Sequence, residues 1–502
     1  MGVEHDTPAR DVPTTESSSV NNEKAPLPEY AENVAVESTF DEKSTKKLLR
    51  KIDGRLLPFL ALLYLLSFLD RTNIGNAKLE NLTQDLKLTG LKYNDALGIF
   101  FPFYVLAEVP SNMAMKRFRP SIWIPSIMIA WGICCTLMGI VKDYHGLMAV
   151  RACLGLAEGG LFPGITYYIT MWYRRHECGF RMAIFFSAAT AAGAFGGLLA
   201  RGILEMKGVG GYNGWRWLFI LEGILTFVIA IIAFFVMYDY PQTAKFLKPE
   251  EREEIANRLK LDRSSLADEF DIKYFFAALK DWKIWVHMFI TIGVYTGLYS
   301  YSLFVPTIIK SLSSDFSAEQ SQLLTVPPYV VACLFCIAAG WYADRLKQRG
   351  IFMLGFMCMA IVGLILLMAT TAPGVRYFGC FLLASGIYPN VPQGVAWNGN
   401  NIGGSLKRGV GIAMHVGFGN LGGVISSYLF LAKQSPHYYQ GFGTLLGCQI
   451  MAFVLSLFMT IYLRRENARR DREYKPPSEY TEEERVAERE KGDNATFFRY
   501  TV

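Results

Sequence analysis

Two pairs of opposite charges stand inside stretches that are otherwise apolar, and these are the residues best able to do chemistry. Asp70 and Arg71 follow the run Leu56 to Leu69, and Arg151 and Glu158 bracket Ala-Cys-Leu-Gly155-Leu-Ala ahead of Gly159-Gly160. The fourteen residues from Leu56 to Leu69 make only about 21 Å of helix, against the ~30 Å hydrocarbon core of a bilayer. A spanning helix must therefore continue through Asp70-Arg71-Thr72-Asn73. Each charge near the bilayer centre costs roughly 2.5–3.5 kcal/mol on insertion scales. Helix neighbours point about 100° apart, so Asp70 and Arg71 need separate partners, or water and a ligand. The other reading ends the helix at Asp70 and leaves both at the interface. Arg151 and Glu158 share one helix face about 10 Å apart along the axis, too far for a simple ion pair and suited to bracketing a ligand. Gly155, Gly159 and Gly160 make the adjoining surface small, for close helix contact or a cavity. The alternative makes Arg151 an end anchor and pairs Glu158 with another helix. Burial and a neighbouring guanidinium push a carboxyl's proton affinity in opposite directions, so an acid in such a place can be tuned to exchange protons.

Other polar positions carry plainer expectations. Glu108, before Pro110 and close to Lys116, is expected near the cytosolic end of its helix, in a structural salt bridge or in a functional role. Arg201 and Glu205 read as a surface pair, and Glu222 as an interfacial or interhelical structural contact behind Trp215-Arg216-Trp217. His415, one turn before Gly419-Asn420, is expected as a hydrogen-bonded core residue in preference to the alternative, a proton relay. Cys333 and Cys336 have CxxC spacing, but on an apolar helix with no second Cys or His pair nearby they read as small core residues. Neither a disulfide framework nor a metal or cofactor site is expected. No nucleophile–base–acid constellation or nucleotide loop is present, so an enzyme is not expected. The net charge of +6 is accounted for by Lys and Arg beside apolar runs and gives no case for nucleic acid.

The elements that must position these charges are membrane helices. The 502 residues are 52% hydrophobic, and the charges cluster between apolar runs of roughly 20 residues. The pattern predicts an all-α polytopic membrane protein with twelve transmembrane helices, near 56–76, 95–115, 121–141, 147–171, 182–204, 217–238, 284–305, 323–342, 351–371, 376–398, 410–432 and 443–463. Residues 1–50 read as a disordered cytosolic tail without a signal peptide, 51–238 and 284–463 as two six-helix halves, 239–283 as a charged cytosolic linker, and 464–502 as a charged cytosolic tail. Lys46-Lys47, Arg50-Lys51, Lys116-Arg117-Phe118-Arg119, Arg174-Arg175 with Arg181, Arg345-Leu346-Lys347 with Arg349, Lys407-Arg408 and Arg464-Arg465 flank alternate loops or the termini, which places both termini in the cytosol. The sequon Asn81-Leu82-Thr83 would then face outside as a glycosylation site. A second triplet, Asn494-Ala495-Thr496, falls in the cytosolic tail. Gly193-Ala194-Phe195-Gly196-Gly197 in the fifth span matches Gly419-Asn420-Leu421-Gly422-Gly423 in the eleventh, as expected of parallel six-helix repeats.

Gly340-Trp-Tyr-Ala-Asp344-Arg345-Leu-Lys-Gln-Arg349-Gly350 resembles the major facilitator motif between the eighth and ninth helices. In that superfamily an Asp there pairs with basic residues to hold one conformational state, so the resemblance makes Asp344 and Arg345 a conformational latch. The first-half counterpart, Pro110 to Pro120, keeps the basic residues without the Asp-Arg pair, implying a weaker latch. Within the superfamily the chain resembles the anion:cation symporters, most closely the fungal allantoate permease branch with its nicotinate transporters. Four stretches carry this: Asp70-Arg71-Thr-Asn73-Ile-Gly-Asn76-Ala; Arg151 through Glu158-Gly159 to Pro163 and Trp172; Trp215-Arg216-Trp217-Leu-Phe-Ile-Leu-Glu222-Gly223; and Asp239-Tyr-Pro241-Gln-Thr-Ala-Lys-Phe-Leu247 with Glu250-Glu251.

By that resemblance Asp70 and Glu158 match acids that exchange protons, and Arg71 and Arg151 match bases linked to anion binding or coupling. Tyr104 and Asn420 fall where such proteins contact substrate. Ala194 stands where some bacterial members carry a polar side chain, which separates this chain from their sugar-acid specificity. The resemblance implies proton-coupled uptake of a small organic anion, such as a carboxylate vitamin or nitrogen compound, by a monomer in the lipid bilayer. It favours the plasma membrane over a vacuolar or other internal membrane. The competing readings are a proton-driven exporter of a metabolite or drug, and a nutrient receptor that signals without transport.

Overall fold

The computed structural model describes residues 40–174, 177–264, 272–313, 316–435 and 437–502, and every regular element among them is helical. Most of the expected N-terminal tail, and Arg175 of the basic clusters, lie outside the described residues. The first helix, α1 (Glu42–Thr72), starts within the stretch read as a polar tail, because the Asp41 carboxylate caps it by accepting from the Ser44 backbone N–H at 3.0 Å. A short helix, Ile74–Leu79, extends it. The expected passage of the helix beyond Asp70 is therefore observed, and Asp70 and Arg71 are buried rather than interfacial.

The remaining long elements follow in order. They are α2 (Phe100–Arg117), α3 (Pro120–Met138), α4 (Tyr144–Glu158), α5 (Leu161–Thr170), α6 (Cys178–Leu204) and α7 (Gly214–Val236) in the first half. In the second come α8 (Trp282–Lys310), α9 (Val326–Leu346), α10 (Gly350–Ala369), α11 (Pro373–Ile387), α12 (Asn390–Asn400), α13 (Ser405–Asn420) and α14 (Tyr439–Glu473). Ten helical segments among the described residues are long and apolar enough to cross a membrane. The fourth and tenth expected spans are each split in two, α4 from α5 at Gly159-Gly160 and α11 from α12 at Tyr388-Pro389. Glycine is a weak helix former and Pro389 lacks the N–H an uninterrupted helix needs, so the breaks fall where the sequence puts them.

Burial separates a central helix from peripheral ones. In α8, 89% of the most apolar window is buried, against 33% in α7, α10 and α14, whose outer faces carry exposed side chains such as Phe235, Ile365 and Val454. Glycines set the closest approaches. A Cβ on Gly155 would lie 2.3 Å from the Phe100 carbonyl oxygen, and one on Gly159 2.3 Å from that of Tyr104, so α4 lies directly on the α2 backbone.

The two halves touch at both ends. At the end where α1 begins, the Phe180 backbone N–H on α6 donates to Asp344 Oδ2 at 2.6 Å, and Asp344 pairs with the Arg349 guanidinium. Arg345 is not the partner: it is exposed, with its guanidinium 5.2 Å from the Trp341 ring. The reason is local. Arg345 points about 100° away from Asp344 on the helix, whereas Lys347 (φ 53) ends α9 in the left-handed region and turns the chain so that Arg349 comes back to Asp344. At the opposite end, Asn94 donates to the Ser427 carbonyl at 2.6 Å and the Tyr428 hydroxyl to Asp95 at 2.8 Å.

Residues 464–502, read from composition as a charged tail, fold against the start of the second half. Asp493 accepts from Lys283 at 2.5 Å and Lys407 at 2.6 Å, and Arg470 donates to the carbonyls of Asp493, Ala495 and Phe498. Opposite charges far apart in the sequence make this segment a partner for the helices. The glycine contacts give a direct test of the packing. Gly155→Ala should lower the thermal midpoint in detergent, as overpacking costs about 1–3 kcal/mol. Gly202→Ala, where nothing lies within 4 Å of a new Cβ, should leave it unchanged or raise it slightly, and equal loss in both would refute this account.

Candidate functional site

The residues singled out by type meet at the centre of the molecule. Arg71, on α1, donates from Nη2 and Nε to Glu158 Oε1 at 2.5 and 3.1 Å, and Ser67 Oγ donates to the same oxygen at 2.5 Å. Arg71 Nη1 donates to the Tyr299 hydroxyl at 2.9 Å, which donates in turn to Asn420 Oδ1 at 2.6 Å. This chain runs from α1 and α4 in one half to α8 and α13 in the other, so a single guanidinium ties both halves together. The aromatic faces of Tyr104 and Phe100 lie 4.8 and 5.1 Å from its carbon, in cation–π range. Among the described residues Glu158 Oε2 is buried with no hydrogen-bond partner, and the Asn420 side chain faces Glu108.

Asp70 faces the other way, as adjacent helix positions require. Its carboxylate accepts from Thr226 Oγ1 at 2.8 Å, Trp131 Nε1 at 3.1 Å and Cys135 Sγ at 3.5 Å, all on α3 and α7. Arg151 makes one bond, from Nε to the Ala96 carbonyl at 3.1 Å, and its guanidinium lies 5.1 Å from the Phe100 ring. The two arginines thus share Phe100. Among the described residues Arg151 Nη1 and Nη2 are buried without partners, and no bond joins Arg151 to Glu158, as their spacing requires.

Several expectations change. Among the described residues Glu108 forms no salt bridge: it is buried, and its carboxyl faces Gly417 and the Asn420 side chain of α13. Pro110 does not end α2, which runs on to Arg117, so Glu108 sits more than two turns inside. Arg201 meets Glu319 at 3.5 Å. Glu222 accepts from Asn73, an interhelical contact as expected. Asn81 is exposed with φ 66, just beyond the end of the first span. Tyr299 is the central residue that sequence reasoning did not single out from other tyrosines. Its neighbour Tyr301 lies in a separate cluster, 5.4 Å from Tyr329 and 6.3 Å from Tyr388.

The family model of the Major Facilitator Superfamily matches residues 60–427. The chain belongs to this superfamily. It is 36% identical to the MFS-type transporter cnsO of Penicillium expansum, over 91% of this chain and 89% of that protein. It is 32% identical to the major facilitator-type transporter hxnP of Emericella nidulans, over 86% of this chain and 88% of that one. Among solved structures, a bacterial homolog of the human lysosomal transporter Spinster, inward-facing and occupied, superposes with a TM-score of 0.60 at 14% identity, covering 82% of this chain and 97% of that one. That likeness is one of fold. The superfamily and its homologues imply membrane transport by an integral multi-pass protein, and major facilitator transporters are generally not enzymes.

In this transporter the Arg71–Glu158 pair should behave as one unit. Removing either partner of a buried pair strands a charge and costs about 3–5 kcal/mol. Arg71→Gln and Glu158→Gln should each lower unfolding stability in detergent, and the double variant should lose less than the sum, with a coupling of about 0.5–3 kcal/mol. Additive losses would show that the pair is not energetically joined.

Proposed function

We propose that this protein is a proton-coupled symporter that takes up a small organic anion, of the anion:cation symporter type and nearest the allantoate and nicotinate branch. The observation that carries the reading is the buried Arg71, held by Glu158 on one side and by Tyr299 and Asn420 of the other half on the other. Protonation of Glu158 removes the charge that holds Arg71, and the guanidinium then presents its donors to a substrate carboxylate, which it can bind in a bidentate manner. The unpartnered Nη atoms of Arg151 offer further donors for the same anion. Tyr104 and Asn420 supply an aromatic face and an amide beside it. Asp70, bonded only to neutral donors of α3 and α7, is the second proton-exchanging acid. Loss of the Arg71–Tyr299–Asn420 chain on substrate binding frees the halves to rock.

In this reading the split helices α4/α5 and α11/α12 complete twelve spans, both termini are cytosolic, and Asn81 is glycosylated outside. Asp344 with Arg349 latches the cytosolic end, and Arg345 serves as a flanking base. A single copy in the plasma membrane suffices, since one chain holds both halves. The test is uptake of labelled nicotinate, allantoate, pantothenate and biotin into cells lacking their own carriers, at about pH 5 and about pH 7.5, with and without a protonophore. Uptake of at least one acid should be faster in acid and collapse with the protonophore, and Glu158→Gln should abolish the pH dependence. Surface expression without uptake of any of the four would move the assignment to an exporter or a non-transporting receptor.

A further inference from the structure

The symport reading leaves open how a proton bound at the centre reaches the far side, and α8 carries a feature that bears on it. Lys283, His287, Thr291, Tyr295 and Tyr299 recur every four residues along this most enclosed helix. At ~1.5 Å per residue they are ~6 Å apart and together span ~24 Å, in a stripe that winds slowly round the helix. Facing them, α13 repeats Lys407, Gly411, His415 and Gly419 at the same interval. A Cβ on Gly419 would lie 2.4 Å from Thr291 and 3.0 Å from Tyr295, so the two stripes are in direct contact.

The polar groups form a sequence from the centre outward. The Tyr299 hydroxyl bonds Arg71 and Asn420, and the Tyr295 ring is 6.2 Å from that of Tyr299. The buried Glu108 carboxyl faces the Asn420 side chain and lies within electrostatic reach of Tyr295. Thr291 Oγ1 is 2.8 Å from His415 Nε2 and 2.9 Å from Nδ1, while donating its own proton to the His287 carbonyl at 2.8 Å. The bond to His415 therefore uses a ring N–H of His415. The His287 ring is 6.2 Å from that of His415, buried, with both nitrogens unpartnered and Trp397 edge-on at 4.8 Å. One turn further, Lys283 donates to Asp493 and to the Tyr500 hydroxyl, and Lys407 bridges Asp493 and Asp281. Arg470 and Glu466 close the cluster on the α14 side. Burial pushes the Asp493 carboxyl up, but Lys283 and Lys407 together hold it below the usual carboxylate range.

Packing alone does not account for His287. Each buried polar atom left unsatisfied costs about 1–3 kcal/mol, which an apolar side chain of similar size would not incur. We propose that Glu108, His415 and His287, with the hydroxyls of Tyr295 and Thr291, form the route by which the coupled proton leaves the central site for the Lys283–Asp493–Lys407 cluster. The inference rests on the symport reading and assigns Glu108 and His415 roles in it. The proton leaves the Glu158 carboxyl, breaking its O–H bond; the Tyr299 hydroxyl takes it and gives up its own to the Glu108 carboxylate, which then releases it toward α8 and α13. His415 takes a proton on one ring nitrogen and gives up that on the other, His287 does the same, and the Asp493 carboxylate passes it to water. The ~6 Å steps are bridged by side-chain rotation or single water molecules, and only protons move.

The experiment uses the full-length protein in liposomes with the same four labelled acids. Two rates are compared, accumulation driven by an inward proton gradient and exchange of internal for external acid at equal pH, which needs no net proton movement. His287→Phe and His415→Asn, with His287→Gln as a conservative second variant should the first fail to fold, should slow gradient-driven accumulation by about tenfold or more. Exchange should stay within about twofold of the unaltered protein. Retention of both rates, or equal loss of both in a folded variant, would overturn the route. Net accumulation by the unaltered protein that is the same with and without the proton gradient, or transport of none of the four acids, would instead overturn the symport reading, and the route with it.

Discussion

A guanidinium in the middle of an apolar bundle has to be satisfied from all sides at once, and the rest of the structure is arranged to do this for Arg71. Glu158 supplies the opposite charge, Ser67 steadies the same carboxylate oxygen, Tyr299 accepts from the remaining arm, and Phe100 and Tyr104 cover the face. Four of these groups come from three helices of one half, α1, α2 and α4, and one comes from the other half. The Coulombic gain of such a pair in a low-dielectric interior only offsets desolvation when the surrounding bonds are also made. That requirement fixes the rotation of α1, the depth of α4 and the register of α8 together.

The glycines are what make this geometry reachable. Gly155 and Gly159 let α4 lie against the α2 carbonyls of Phe100 and Tyr104. That close approach sets Glu158 at the depth of Arg71 and brings the Arg151 guanidinium within 5.1 Å of the Phe100 ring. The helix break after Glu158 has the same origin, because Gly159-Gly160 gives up helix propensity in return for close contact. In α13, Gly419 plays the corresponding part, clearing space for Thr291 and Tyr295 one residue before Asn420 reaches Tyr299.

Much of this was legible from residue types. The apolar runs marked the membrane helices, the shortness of Leu56 to Leu69 carried the first helix past Asp70, and a 100° offset separated the partners of Asp70 and Arg71. The seven-residue spacing of Arg151 and Glu158 excluded a direct pair. What was hidden depends on partners distant in sequence. Tyr299 looks like any tyrosine in an apolar run until α1 and α13 are brought against it. Glu108 was read as a structural salt-bridge residue because Lys116 is near it in sequence, whereas its side chain faces Gly417 and Asn420 of α13, more than 300 residues away. The family resemblance named Arg345 as the partner of Asp344, and only the left-handed Lys347 shows why Arg349 takes that place.

Closure at both ends gives the central chain its consequence. The Asp344–Phe180 bond joins the halves where α1 begins, Asn94–Ser427 and Tyr428–Asp95 join them at the opposite end, and Arg71–Tyr299–Asn420 joins them between. Opening toward either side must break one terminal set while the other acts as a hinge, and the central bonds resist both motions equally. A group that competes for Arg71 therefore lowers the barrier to opening in each direction. In the proposed symport, a substrate carboxylate would compete with Glu158 and Tyr299 for Arg71, and a proton on Glu158 would release the same guanidinium. Each would then ease the binding of the other, with Arg151 offering a second cation to the substrate, and on this physical basis anion and proton movement would be coupled.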